Sequence, residues 1–203
     1  MKLAGKTLSS IALATISLAA HADFVTTFTP GLTTQVDGAI VVDFEGDGPG
    51  SYSGAGRVVN FSDSTTAAPA GDSTYYYTVS YGVGTFTAAA GTSYDYFGLY
   101  WGSIDDYNWL NFYSNGSLIA SINGLDVLQA GTKLGDQRSA GSNRYVNFFF
   151  DTTFDRIDFA STSYAFESDN HAFGRTSSVP EPATLGLMAL GLLGAAAARR
   201  RKR

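Results

Sequence analysis

Ten runs of three to eight residues, rich in aromatic and β-branched side chains, set the tightest limit on what this 203-residue chain can fold into. They are Ala39–Phe44, Arg57–Phe61, Tyr75–Ser80, Thr85–Ala89, Tyr94–Trp101, Trp109–Tyr113, Leu118–Ile122, Tyr145–Phe150, Arg156–Ala160 and Tyr164–Phe166. Gly, Asn, Asp and Ser punctuate them, which is the pattern of strands separated by turns. Asn115-Gly116 joins two of these runs and carries the positive-φ preference of a tight hairpin; Asn123-Gly124 offers a second such turn. Outside the two ends no segment keeps a 3.6-residue period. Without a fixed repeat a β-helix is excluded. The pattern predicts an all-β fold, an antiparallel β-sandwich of the jelly-roll kind. Thr65–Ser73 and Ala130–Asn143 read as surface loops.

The ends obey different rules. Lys2 and Lys6 precede a short apolar core, Leu8–Ala20, and Ala20 and Ala22 flank His21 as a small-x-small cleavage site. These are the three parts of a secretory signal in order, so residues 1–22 predict export by signal peptidase cleavage and a mature chain beginning at Asp23. At the other end Val179-Pro180-Glu181-Pro182 is followed by Ala183–Ala198, which holds no charge, and then by Arg199, Arg200, Arg201, Lys202 and Arg203. As a helix that apolar run would reach about 24 Å, short of a hydrocarbon core of about 30 Å but close enough to span with a small mismatch. The basic cluster would stay cytoplasmic and leave the body outside the inner membrane.

This order of proline–acid–proline, apolar helix and arginine cluster resembles the PEP-CTERM sorting signal of Gram-negative bacteria, a tail also known under an ice-binding-protein C-terminal label. The resemblance covers about 25 residues. It implies recognition and processing by an exosortase near Pro180-Glu181-Pro182, a transient membrane anchor, and a destination at the cell surface or in the exopolysaccharide matrix. It implies no activity for the body. The chain thus divides into a signal peptide (1–22), a β-sandwich ectodomain (23–175) and a sorting signal (176–203).

The ectodomain holds six basic residues against 17 acidic ones, a net charge of −11, and all 28 aromatic residues of the chain. That balance excludes sequence-independent nucleic-acid binding, which needs clustered Lys and Arg. Cysteine is absent, so disulfides, cysteine–zinc sites and thiol nucleophiles are excluded. His171 is the one histidine left after export; it reads as an exposed polar residue near the last strand, with no serine elbow to serve. Asp105-Asp106, Asp155, Asp158 and Glu45 qualify by type alone as paired carboxylates of a hydrolase.

Two segments point elsewhere. Asp43-Phe44-Glu45-Gly46-Asp47-Gly48 sets three carboxylates on alternate residues, either a cation loop or an acidic turn. With Ala165–Asn170 (AFESDN) it resembles the first and last strands of carbohydrate-binding jelly rolls, which implies a structural calcium as cofactor, held by Glu45 and Asp169. Tyr94–Trp109 resembles a YWGS.D.YN run found in ectodomains of PEP-CTERM proteins. By alternation Phe97, Leu99 and Trp101 face a core, while Tyr96 and Tyr100 form either a sugar platform or a solvated face. With Asp105, Asp106 and Asn108 nearby, that face predicts contact with extracellular polysaccharide. The sequence as a whole predicts an exported, non-enzymatic surface protein with a structural or carbohydrate-binding role; a matrix polysaccharide hydrolase is the alternative. An ice-binding role would need regularly spaced threonine arrays, which the sequence lacks.

Overall fold

The structure is a computed structural model that describes residues 22–46 and 48–176. Ala20, Asp47, Val179–Pro182 and Arg199–Arg201 lie outside the described residues, as does the apolar run 183–198. Among the described residues no helix is long and apolar enough to cross a membrane.

Ten strands form one curled antiparallel sheet. They are β1 (Phe24–Thr29), β2 (Ile40–Val42), β3 (Gly50–Val59), β4 (Tyr76–Ala88), β5 (Tyr94–Gly102), β6 (Asn108–Ser114), β7 (Ser117–Asn123), β8 (Arg144–Phe154), β9 (Arg156–Ser161) and β10 (Phe166–Gly174). The order across the sheet is β1-β8-β5-β10-β4-β9-β6-β7, with β2 paired to β10 and β3 to β4. The curl brings β6 opposite β8, so that Phe112 meets Phe148, Phe150 and Phe154 across the interior at centroid distances of 5.8, 4.6 and 5.2 Å. Phe97, Leu99, Trp101, Leu110, Phe159 and Phe166 fill the same core and are fully buried. This is the expected antiparallel all-β class.

The Asn115-Gly116 hairpin forms as read. Ser114 pairs with Ser117, and the two loop residues take φ of 49° and 81°. Asn123-Gly124 does not make a hairpin. Asn123 instead caps a single helical turn, α1 (Gly124–Val127): its side chain accepts from the Leu125 amide, and Asp126 returns a bond to the Asn123 amide at 2.8 Å. A reciprocal capping pair satisfies two otherwise free donors and so stabilises helix over turn. The runs Tyr75–Ser80 and Thr85–Ala89 merge into the 13-residue β4. The glycines between them are strand residues: Gly84, with Gly56 on β3, leaves the space that the buried Tyr77 hydroxyl occupies.

Strand β5 is buried along its whole length. Phe97, Leu99 and Trp101 face the main core, as alternation predicts. The opposite face is covered too. Tyr96, Tyr100, Tyr145 and Ala172 form a second cluster, over which Val36, Ala39 and Phe149 pack. The chain between β1 and β2 thus lies over the tyrosine face, and Thr34 Oγ1 meets the Tyr96 hydroxyl at 2.6 Å.

Candidate functional site

The YWGS.D.YN segment turns inward. Ser103 follows β5 with φ of 36°, and its amide donates to Asn143 Oδ1 at 3.0 Å. The Ser103 hydroxyl donates to Glu167 Oε2 at 3.0 Å, and the other oxygen of Glu167 accepts from the Ala67 amide at 2.9 Å. Asn143 also accepts from the Ala70 amide and donates to the Asp136 and Ser139 carbonyls. Asn108, fully buried, donates to the Ala165 carbonyl at 3.2 Å and accepts from Ser161 Oγ at 2.8 Å. One polar seam therefore ties β5, β6, β9 and β10 to the loops at 61–72 and 130–143. Burial pushes Glu167 up to about 8 and raises Asp105 as well.

This sets the predicted sugar-contact residues in place. Tyr96 and Asn108 are wholly buried, and Tyr100 and Asp105 nearly so. The Tyr100 hydroxyl donates to the Ala70 carbonyl at 2.7 Å. Of the five, Asp106 alone is exposed. The tyrosine face is neither a platform nor a solvated side, because the 30–39 segment covers it.

The last strand holds a second buried polar group. In β10 the pairing with β5 shifts between Asp169 and Ala172, and Asn170 sits at φ of 50°. Such a bulge changes which face later residues occupy. His171 therefore joins Ser168 on the core side instead of facing solvent as expected. It is fully buried, and its ring stacks on Phe159 at 4.9 Å. Its nitrogens meet the Tyr52 hydroxyl at 2.8 Å and Ser168 Oγ at 2.9 Å. Burial pushes it down to about 3, so it is neutral at physiological pH. Although Ser168, His171 and Tyr52 are in contact, they are sealed in the core and hold strands together.

On the other face Asp169 is 1% exposed. Its Oδ2 accepts from Asn170 Nδ2 at 2.8 Å, while Oδ1 is buried with no donor. Asp72 has a matching orphan: Thr74 occupies one oxygen, and the other is buried without a partner. Burial, then the facing Asp72 and the more distant charge of Asp43, push Asp169 up to about 8. Both causes favour the protonated form of the Asp169 carboxyl. Asp72 gave no sequence signal, since it lies in a stretch that reads as a surface loop. Glu45 is not part of the pair; its Oε1 accepts from the Tyr75 amide at 2.9 Å. Among the described residues no three His, Asp or Glu side chains are grouped closely enough to hold a metal ion. Calcium needs six to eight oxygens; the residues that the jelly-roll resemblance implied, Glu45 and Asp169, are not grouped with a third carboxylate among the described residues.

Among the described residues, clefts open at these three places on the surface. One of about 460 Å³ lies between the 88–93 turn, Asn115 and Arg156. A second, of about 530 Å³, is an apolar groove beside Phe24, Val25 and Phe150. The third, of about 390 Å³, lies between Phe28, Leu32 and Arg144.

No curated protein and no solved structure matches the chain. The model of one family, described as the PEP-CTERM protein-sorting motif, matches residues 178–202. That match supports reading the chain as an exported, exosortase-sorted protein.

Proposed function

We propose that the ectodomain serves as a non-catalytic component of the exopolysaccharide layer, structural in its core role and in contact with carbohydrate at its surface. The sorting motif supplies the destination. The observation that carries the non-catalytic reading is where the chemically capable residues are spent. Glu167, Asn143 and Ser103 bond to one another and to backbone. His171 bonds to Tyr52 and Ser168 inside the core. A glycosidase instead needs two carboxyl groups facing an open cleft about 5–9.5 Å apart.

The test uses the protein recovered from the cell surface. Incubated with the host's own extracellular polysaccharide, it should be retained by the polymer and release no new reducing ends. Release of reducing ends that disappears when one carboxylate is replaced would establish the hydrolase instead. Lack of retention on every glycan offered would remove the carbohydrate part of the reading.

A further inference from the structure

Arg144 and Arg156 are held in nearly the same way, with one difference. Each guanidinium lies over an aromatic ring, Arg144 over Phe28 at 3.5 Å and Arg156 over Tyr113 at 3.7 Å. Arg156 completes its surroundings with a carboxylate, Asp158 Oδ2 at 3.1 Å. Arg144 has no carboxylate among the described residues. Its one hydrogen bond is a long one from Nη1 to the Val127 carbonyl, 3.4 Å; its Nε, like that of Arg156, is buried without a partner. Arg144 is half-buried and so loses part of its hydration, which a bound anion would offset.

The cleft around Arg144 narrows the kind of anion that would complete it. Its other polar groups are already used. The Tyr100 and Tyr145 hydroxyls donate to the carbonyls of Ala70 and Asn170. Asn143 spends both its oxygen and its amide internally. What is left is the Arg144 fork between the exposed rims Phe28 and Leu32, in about 390 Å³. A fork of parallel N–H donors matches a carboxylate bidentately, and the aromatic and aliphatic rims suit the CH face of a ring. Cleft volumes of roughly 300–1,000 Å³ are those of small-ligand sites.

We propose that this cleft binds a carboxylate-bearing sugar unit of an acidic polysaccharide, with Arg144 holding the carboxylate and Phe28 and Leu32 flanking the ring. The proposal rests on the carbohydrate-contact reading and names the class of carbohydrate and the residue that selects it. Stacking on Phe28 fixes the guanidinium before the ligand arrives, which lowers the ordering cost of binding. The strongly negative body repels polyanions in general, so recognition depends on this one fork and not on bulk charge.

The probes are short oligomers of galacturonate, glucuronate and mannuronate, each beside its methyl ester, titrated into the surface-recovered protein by calorimetry. The ester keeps the ring and removes the charge. Expected is binding of at least one acid, at least tenfold tighter than its ester. Arg144→Gln should lose at least tenfold, and Arg144→Lys, which keeps charge but not the fork, should fall between. Thermal unfolding shows whether each variant is folded. If Arg144→Gln is not, the comparison of acid with ester on the unchanged protein decides, with Phe28→Leu as the second variant. Equal binding of acid and ester, or unaltered acid binding by a folded Arg144→Gln, would overturn the assignment. Retention of neutral glycans alone would overturn it and leave carbohydrate contact standing. Retention of no glycan would end both.

Discussion

Replacing Phe159 with alanine is expected to cost about 3–5 kcal/mol of stability, the range for removing a buried phenylalanine ring. In a domain of this size that lowers the melting temperature by about 10 °C. Phe159 is fully buried on β9. Its ring stacks on His171 at 4.9 Å and meets Tyr77, Phe97 and Phe166 edge-on at 5.4, 6.0 and 5.7 Å. No neighbour is positioned to collapse into the space, because each is itself locked in the same cluster. Loss of the stack also opens one face of His171, so the histidine should titrate closer to its ordinary value, a change visible by NMR. Phe61→Ala, at a half-exposed position, should stay within about 0.5 kcal/mol of the unchanged protein. A cost below about 1 kcal/mol at Phe159 would mean that this aromatic cluster is not the centre of the core.

The second large effect is on pH dependence. Asp169 and Glu167 hold their protons in the folded chain up to about pH 8, whereas the unfolded chain releases such protons near pH ~4. Between those values the folded state binds more protons, so stability is full below about pH 4 and falls as pH rises toward 8. His171 acts in the opposite sense. Its folded value near 3 lies below the unfolded value of 6.5, so it adds stability as pH rises across that interval. Above about pH 6.5 the two acids act alone, and a loss of ~2 kcal/mol by pH 8 is expected, within the limit of about 1.4 kcal/mol per group per pH unit.

Asp169→Asn should halve that slope and raise the melting temperature at pH 8 by several degrees. An asparagine there carries no charge and brings an N–H to the orphan oxygen of Asp72. Thermal unfolding across pH 5–8.5 reads both effects. If the variant lowers the melting temperature equally at pH 5 and pH 8, the Asp169 carboxyl holds no proton in the folded chain. If millimolar calcium raises the unchanged protein's melting temperature and EDTA lowers it, a cation bridges the two carboxylates.

The parts of the structure that were legible in the sequence are those governed by near neighbours. Most of the strand runs, the Asn115-Gly116 turn and the core face of β5 follow from spacing and turn chemistry; β1 matched no run, and the run Tyr164–Phe166 reached only the first residue of β10. What stayed hidden depends on residues that approach from far along the chain. Whether Tyr96 and Tyr100 face water turns on the 30–39 segment, whose covering role has no local signal. The side on which His171 falls turns on one left-handed residue, Asn170, since asparagine adopts that conformation more readily than most residues and the bulge it makes reverses the alternation. Glu167 and Asp169 lie beyond the run Tyr164–Phe166, on the part of β10 that the sequence did not mark as strand. Their partners Ser103 and Asp72 lie 64 and 97 residues away, out of reach of any spacing argument. The jelly-roll resemblance paired Asp169 with Glu45, where in the fold the Glu45 carboxylate accepts from the Tyr75 amide and that of Asp169 from the Asn170 side chain.

The C-terminal motif marks this chain as an exported body delivered by an exosortase. The most direct measurement is the intact mass of the mature protein in host cells with and without the exosortase, beside a variant with Pro180, Glu181 and Pro182 changed to alanine. When the enzyme is present, the mature chain should start at Asp23 and end near Pro180-Glu181-Pro182. Without the enzyme, or with the altered motif, the chain should retain its apolar segment through Arg203 and stay with the membrane fraction. The same mass in all three cultures, with the tail retained in each, would contradict exosortase delivery.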